Sequence, residues 1–275
     1  MPSNEARSEA DRITVLMYHR VGEAVNDWER KYCVSPQRFA SHMRALERRG
    51  MHACTLEAFA SWLDGRQPLP QGAFLLTFDD GFMGVHEHAF PILAELRWPA
   101  VMFLVSGRIG QDDGWTVSEN PAKRTFPLLG RSEIEAMSAT FSFQSHSRSH
   151  VDLTRLPRDE LARELRGARE DLEAMLDRPV RYLAYPYGRH DDTVVRIARE
   201  SGYDAAFSVQ PGFNRRDVDR YRIRRLDVFG SDTDSALLRK VAYGTNDGSW
   251  RQPLRYYGSR VRARLLGPGS ATSQP

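Results

Sequence analysis

Residues 73–82 read AFLLTFDDGF. The first six are apolar except for Thr77 and show no polar alternation. That pattern describes a strand buried on both faces, as in a parallel sheet covered by helices. The run stops at Asp79 and Asp80. Adjacent carboxylates repel, and successive strand side chains point to opposite faces. A structural role for the pair is hard to find unless a cation or a hydrogen-bond network absorbs one charge, so the doublet raises the question of a cation site.

Working outward, similar runs occur at 13–18 (ITVLMY), 52–54, 100–105 (AVMFLV), 141–145 (FSFQS), 181–185 (RYLAY), 205–209 and 222–228. Helical patterns fall between them, at 36–49, 55–64, 82–97, 132–138, 157–176, 191–201 and 234–242. Ser35-Pro36 supplies a cap and a proline at the first helical position. In 157–176, Leu161, Leu165, Ala168, Leu172 and Met175 form one face. Strands alternating with helices predict an α/β fold, an incomplete (β/α) barrel rather than an open doubly wound sheet. No glycine-rich phosphate loop follows the first strand, which weakens a dinucleotide reading. Residues 106–130, rich in Gly, Asp, Asn and Pro, read as a long loop at the C-terminal rim, where barrels carry their active sites.

The 275 residues are 41% hydrophobic and 27% charged, a length that suits one large α/β domain or two small ones and can bury a sizeable core. A net charge of +3 gives no argument for a nucleic-acid partner. Cys33 and Cys54 are the only cysteines, which excludes a thiolate metal site. Residues 1–12 are polar and lack the apolar core of a signal peptide. No stretch approaches the ~20 apolar residues of a membrane span. The sequence therefore predicts a cytoplasmic protein with a catalytic domain over 13–245 and a basic, partly disordered tail over 246–275. It sets no oligomeric state.

Three stretches close predicted strands: Asp79-Asp80, HSRSH (His146 and His150) and YPYG at 185–188. In a parallel barrel those ends converge on one face. His-x-x-x-His places two imidazoles within reach of one ion if the segment curls into a helical turn. Asp80 completes a His₂Asp set suited to Zn²⁺, Co²⁺, Ni²⁺ or Mn²⁺. His42, His52, His86, His88 and His190 have no comparable partner spacing.

TFDDG, HSRSH and YPYG, in that order, resemble the first three motifs of the NodB-homology polysaccharide deacetylases, carbohydrate esterase family four. The resemblance covers roughly residues 13–230. It implies metal-dependent removal of acetyl groups from N-acetylated sugars, with Zn²⁺ the first choice of ion and a carbohydrate as substrate. It makes Asp79 the general base and Asp80, His146 and His150 the metal ligands, while Pro186 and the Tyr187 backbone serve the oxyanion and substrate. The family commonly has an arginine where this chain has Ala184, and Arg224 or Arg225 is the candidate replacement. The late Leu-x-His motif is absent, since no histidine follows His190. LMYHRV near the start instead resembles the permuted poly-N-acetylglucosamine deacetylase subgroup, which makes His19 the catalytic acid. A related amide hydrolase, such as a sugar deformylase, and a non-catalytic carbohydrate-binding relative are the alternatives.

The chemistry accounts for the doublet. One carboxylate binds the ion, whose charge keeps it ionised, while its neighbour stays free to take a proton from water. Trp115, Phe126 and Tyr187, in rim loops, can either stack on sugars or cover the core.

Overall fold

The computed structural model describes residues 12–249. Most of the polar N-terminal segment and of the basic C-terminal tail lies outside them.

The principal strands are β1 (Thr14–Tyr18), β5 (Ala73–Phe78), β6 (Ala100–Leu104), β7 (Phe141–Ser145), β8 (Tyr182–Ala184), β9 (Ala205–Phe207) and β10 (Leu226–Asp227). Every pairing among them is parallel, in the order β10-β1-β5-β6-β7-β8-β9. β4 (His52–Ala53) pairs with the start of β5. A single bridge between Phe207 and Ile223 brings the end of this order back toward its beginning. β7 and β8 share one residue pair, Ser145 with Leu183. The result is a thinly joined, incomplete barrel, as the strand spacing predicts. One expected strand differs: of 222–228 only Leu226–Asp227 is regular, because Arg220–Arg222 forms a 3₁₀ turn capped by Asp219. β2 (Arg20–Val21) and β3 (Cys33–Val34) form a separate small sheet.

The helices are α1 (Asp27–Tyr32), α2 (Pro36–Arg48), α3 (Leu56–Leu63), α4 (Phe90–Leu96), α5 (Arg131–Met137), α6 (Arg158–Leu176), α7 (Asp192–Glu200) and α8 (Asp234–Tyr243). Ser35 caps α2 by accepting from the Arg38 N–H, and Pro36 occupies its first turn as expected. α4 begins differently, as a π-helical turn over Val85–Ala89 in which the Phe90 N–H donates to the Val85 carbonyl. Pro91 follows and has no N–H to continue an ordinary ladder.

Strand periodicity divides the core in two. Leu16, Tyr18, Phe74, Leu76, Phe78, Met102 and Leu183 face the outer helices, with Leu161, Leu165 and Leu172 of α6. Val15, Leu75, Val101, Phe103, Ala184, Ala205 and Phe207 face inward. Phe59 and Trp62 of α3 join the inward set, so α3 fills the barrel from its N-terminal end. The same period of two carries inward facing from Val15 to His19 and from Leu75 to Asp79. Alternation therefore aims two candidate site residues into the mouth. No helix among the described residues is long and apolar enough to cross a membrane.

Candidate active site

Asp79 remains part of the β5 ladder, its N–H donating to the Tyr18 carbonyl at 3.0 Å. Asp80 does not continue the strand. Its φ of 73° is left-handed, a region that Asp tolerates better than most residues, and this turns its carboxylate back toward the mouth. Both side chains are buried.

Arg225, fully buried, forms a two-pronged ion pair with Asp79. Its Nη1 lies 2.6 Å from Oδ1 and its Nη2 2.8 Å from Oδ2, while its Nε donates to the Ser208 carbonyl. Burial alone would raise the Asp79 carboxyl, but the Arg225 guanidinium holds it below the usual range. Arg225 thus stands beside the carboxylate that lacks an arginine from position 184. Arg224 is directed elsewhere, its backbone bonded to Asn214.

His146 extends β7, its N–H donating to the Leu104 carbonyl. Its Nδ1 lies 2.8 Å from the Ala184 carbonyl. A carbonyl can only accept, so Nδ1 carries the proton and Nε2 presents a lone pair. That Nε2 is 3.5 Å from Asp80 Oδ1 and 4.0 Å from Asp79 Oδ2. Burial pushes the imidazole down to about 4, which keeps it neutral and able to ligate. His150 brings its Nε2 to 3.2 Å from Asp80 Oδ1. The segment between the histidines is no helical turn, contrary to expectation. Ser147 and His150 have φ of 65° and 58°, and the loop is pinned from outside. The N–H groups of Arg148 and Ser149 both donate to Glu164 of α6, as does the Ser149 hydroxyl. On the other side the Gly107 N–H meets the Arg148 carbonyl, so closely that a Cβ at 107 would lie 2.7 Å from that oxygen.

One ligand atom from each of Asp80, His146 and His150 lies within 4.8 Å of the others. Asp80 Oδ1 is buried and, despite its imidazole neighbours, makes no hydrogen bond of acceptable geometry. An orphaned carboxylate oxygen between two imidazoles fits a divalent cation in its donor types and spacing.

The cluster has a definite surround. Trp115 stacks on His150 with centroids 4.5 Å apart, and Tyr187 meets the same ring edge-on at 4.7 Å. Asp113 sets the Trp115 turn by accepting from the Phe126 N–H and the Thr116 hydroxyl. Phe126 itself packs against Arg20 and Phe82. Pro186 is buried. The following 3₁₀ turn is closed by the Gly188 and Arg189 N–H groups, which leaves the Tyr187 N–H out of its hydrogen bonds. His19 lies at the mouth, an electrostatic neighbour of Asp79, Asp80 and Asp227. Its Nδ1 is buried without a hydrogen-bond partner. Beside His150 opens a cleft of about 730 Å³ lined in part by Trp115, Tyr187, Arg108, Arg155 and Arg189.

His42 and His190 take structural positions, His190 stacking on Tyr185. His42 bonds Tyr18 and the Asp232 carbonyl. Sequence reading passed over Glu164, Asp113 and Asp227. None has a motif around it, and only tertiary contacts reveal its place.

The chain is similar to known proteins over most of its length. The poly-beta-1,6-N-acetyl-D-glucosamine N-deacetylase of Staphylococcus epidermidis is 23% identical over 259 residues, 86% of each chain. The structure of IcaB from Ammonifex degensii superposes with a TM-score of 0.71 at 26% identity, covering 86% of this chain and 98% of that one. Streptococcus pyogenes deacetylase PplD, solved in complex with acetate, gives 0.72 at 21% identity over 84% and 98% of the two chains, a likeness of fold. The family profile for polysaccharide deacetylases matches residues 66–206, and with more than half of its length so matched this chain belongs to the polysaccharide deacetylase family.

Proposed function

We propose that this protein is a metal-dependent N-deacetylase of a poly-N-acetylglucosamine-type glycan. The observation that carries the reading is a carboxylate clamped by Arg225 beside the Asp80–His146–His150 cluster. The names of relatives matched over most of their length support the choice of glycan.

Asp80, His146 and His150 would hold the ion. When bound, a divalent cation supplies an acidified water and polarisation of the amide carbonyl. Asp79 takes the proton from the attacking water. Arg225 keeps that carboxylate ionised and fixes its direction through both oxygens, so no other rotamer competes. The Tyr187 N–H, left out of the turn's hydrogen bonds, donates to the oxygen that gains charge as water adds. Collapse expels an amine, a poor leaving group unless protonated, and His19 is the group at the mouth able to deliver that proton. Trp115 excludes water from the outer face of His150.

The test measures acetate released from β-1,6-linked N-acetylglucosamine oligomers by chelated protein, then after adding back Zn²⁺, Co²⁺, Ni²⁺ or Mn²⁺ singly. Acetate release that depends on added metal is expected. Release that survives complete chelation, or formate released from a formylated analogue in place of acetate, would overturn the reading.

A further inference from the structure

Among the described residues the exposed large hydrophobic side chains are Val25, Tyr32 and Tyr187, the two tyrosines at 40% and 47%. A single exposed aromatic needs no explanation in itself. These two tyrosines are set apart by what they touch. Tyr187 meets His150, and Tyr32 meets His19 with centroids 4.8 Å apart and planes inclined by 47°. They come from unrelated elements, the turn after β8 and the end of α1, and each lies against a different site histidine.

Tyr32 is also held firmly. α1 has six residues, too few to be stable by itself. Asn26 caps it by accepting from the Glu29 N–H. Glu29, buried, receives Nε and Nη2 of Arg124 at 2.7 and 2.5 Å, the Asn120 amide and the Val25 N–H. At the other end Gly230 presses so closely that a Cβ there would lie 2.3 Å from the Arg30 carbonyl and 2.1 Å from that of Cys33. Phe229 supports the tyrosine ring at 5.9 Å, and the Lys31 ammonium lies 4.8 Å from its centroid. An exposed ring on so fixed a base meets a ligand with little ordering cost.

We propose that Tyr32 is a substrate-positioning residue whose ring stacks on the N-acetylhexosamine unit whose amine is released. The inference rests on the deacetylase reading and on the direction it gives the amide. The acyl carbonyl must face Asp80, His146 and His150, under Trp115 and Tyr187. The nitrogen must face His19. The sugar carrying that nitrogen then lies on the Tyr32 side of the mouth. A pyranose presents axial C–H groups to an aromatic face and hydroxyls at its rim, which suits a ring with a polar tip and an ammonium nearby.

The test uses calorimetric binding of a β-1,6-linked N-acetylglucosamine pentamer to the Asp79→Asn protein, so that turnover does not intervene. Adding Tyr32→Ala is expected to weaken binding about 3- to 10-fold, the scale of one aromatic contact. Tyr32→Phe, which keeps the ring, should bind within about two-fold of its parent on the same argument. With Asp79 intact, Tyr32→Ala should raise KM and spare kcat. Equal binding with and without the ring, or no binding by the parent, overturns the inference. So does a fall in kcat at constant KM with a displaced pH profile, which would make Tyr32 a support for His19. If the Asp79→Asn protein binds the pentamer through Tyr32 while the metal-loaded protein with Asp79 intact releases no acetate, the deacetylase reading fails and the stacking assignment stands.

Discussion

Asp79 and Asp80 are neighbours in sequence with opposite environments, and one backbone dihedral separates them. Asp79 keeps the strand's inward parity and meets Arg225, whereas Asp80 enters the mouth through a left-handed turn. Of the seven non-glycine residues with positive φ among those described, four stand at this site: Asp80, Ser147, His150 and Tyr187. Each such conformation costs of order 1–3 kcal/mol, and their concentration here is what a preorganised site requires. The two aspartates should respond differently to the same isosteric change. Asp79→Asn removes the proton acceptor and leaves the cluster its three ligands, so turnover should fall by ~10²–10⁴-fold with metal content retained. Asp80→Asn should lose metal first. Metal analysis of both proteins after dialysis decides the matter: equal loss of metal would refute the division.

At the scale of elements, the metal geometry depends on a loop whose shape comes from its neighbours. Glu164 on α6 accepts three donors from Arg148 and Ser149, between the two histidines. Glu164→Ala strips that support without touching a ligand. It should lower metal affinity by about 10–100-fold, the usual scale for groups that orient ligands. A zinc competition titration reads this directly, and an affinity equal to that of the unsubstituted protein would show that Gly107 and α6 packing suffice. The same contrast explains what the sequence discloses. β1, β5, β6 and β7 are legible because uninterrupted apolar runs end at polar turns, and their shared parallel direction brings Asp79, His146 and YPYG together. The partner of Asp79 is less legible. Whether Arg224 or Arg225 faces inward depends on the register of a two-residue strand after a 3₁₀ turn, which no periodicity reports. The shape of HSRSH escapes for a similar reason, since i,i+4 spacing suits a helical turn and only Glu164 and Gly107 impose another. α1 escapes as well. DWERKY has no apolar face, and the helix exists because Glu29 is buried by residues far along the chain.

Over the whole molecule, stability and chemistry occupy opposite ends of the barrel. α3 fills the N-terminal end with Phe59 and Trp62, leaving the C-terminal end free for polar groups and strained turns. The mouth needs its own ties, and one of them joins Glu29 to Arg124, 95 residues away, linking α1 to the loop that carries Trp115. Burial by itself would raise the Glu29 carboxyl. Arg124, the Val25 N–H and Asn120 outweigh it and bring the group from an ordinary 4.5 down to about 2. A carboxylate depressed in the folded state stabilises above its unfolded value, and that contribution is lost as pH falls from about 4.5 toward 2. The shift corresponds to at most roughly 3 kcal/mol, and less in practice because Arg124 is partly exposed. Glu29→Gln cannot ionise, so it should be less stable than the unsubstituted protein by about 1–3 kcal/mol at neutral pH, the cost of a lost charged hydrogen-bond set. The gap should narrow by pH 3, where the natural carboxylate has already lost much of its advantage. Urea unfolding of both proteins at pH 7 and pH 3 measures the gap twice. A gap of the same size at both values would mean that Glu29 holds the mouth by shape and neutral hydrogen bonds, and that its charge contributes nothing to closing α1 against the rim.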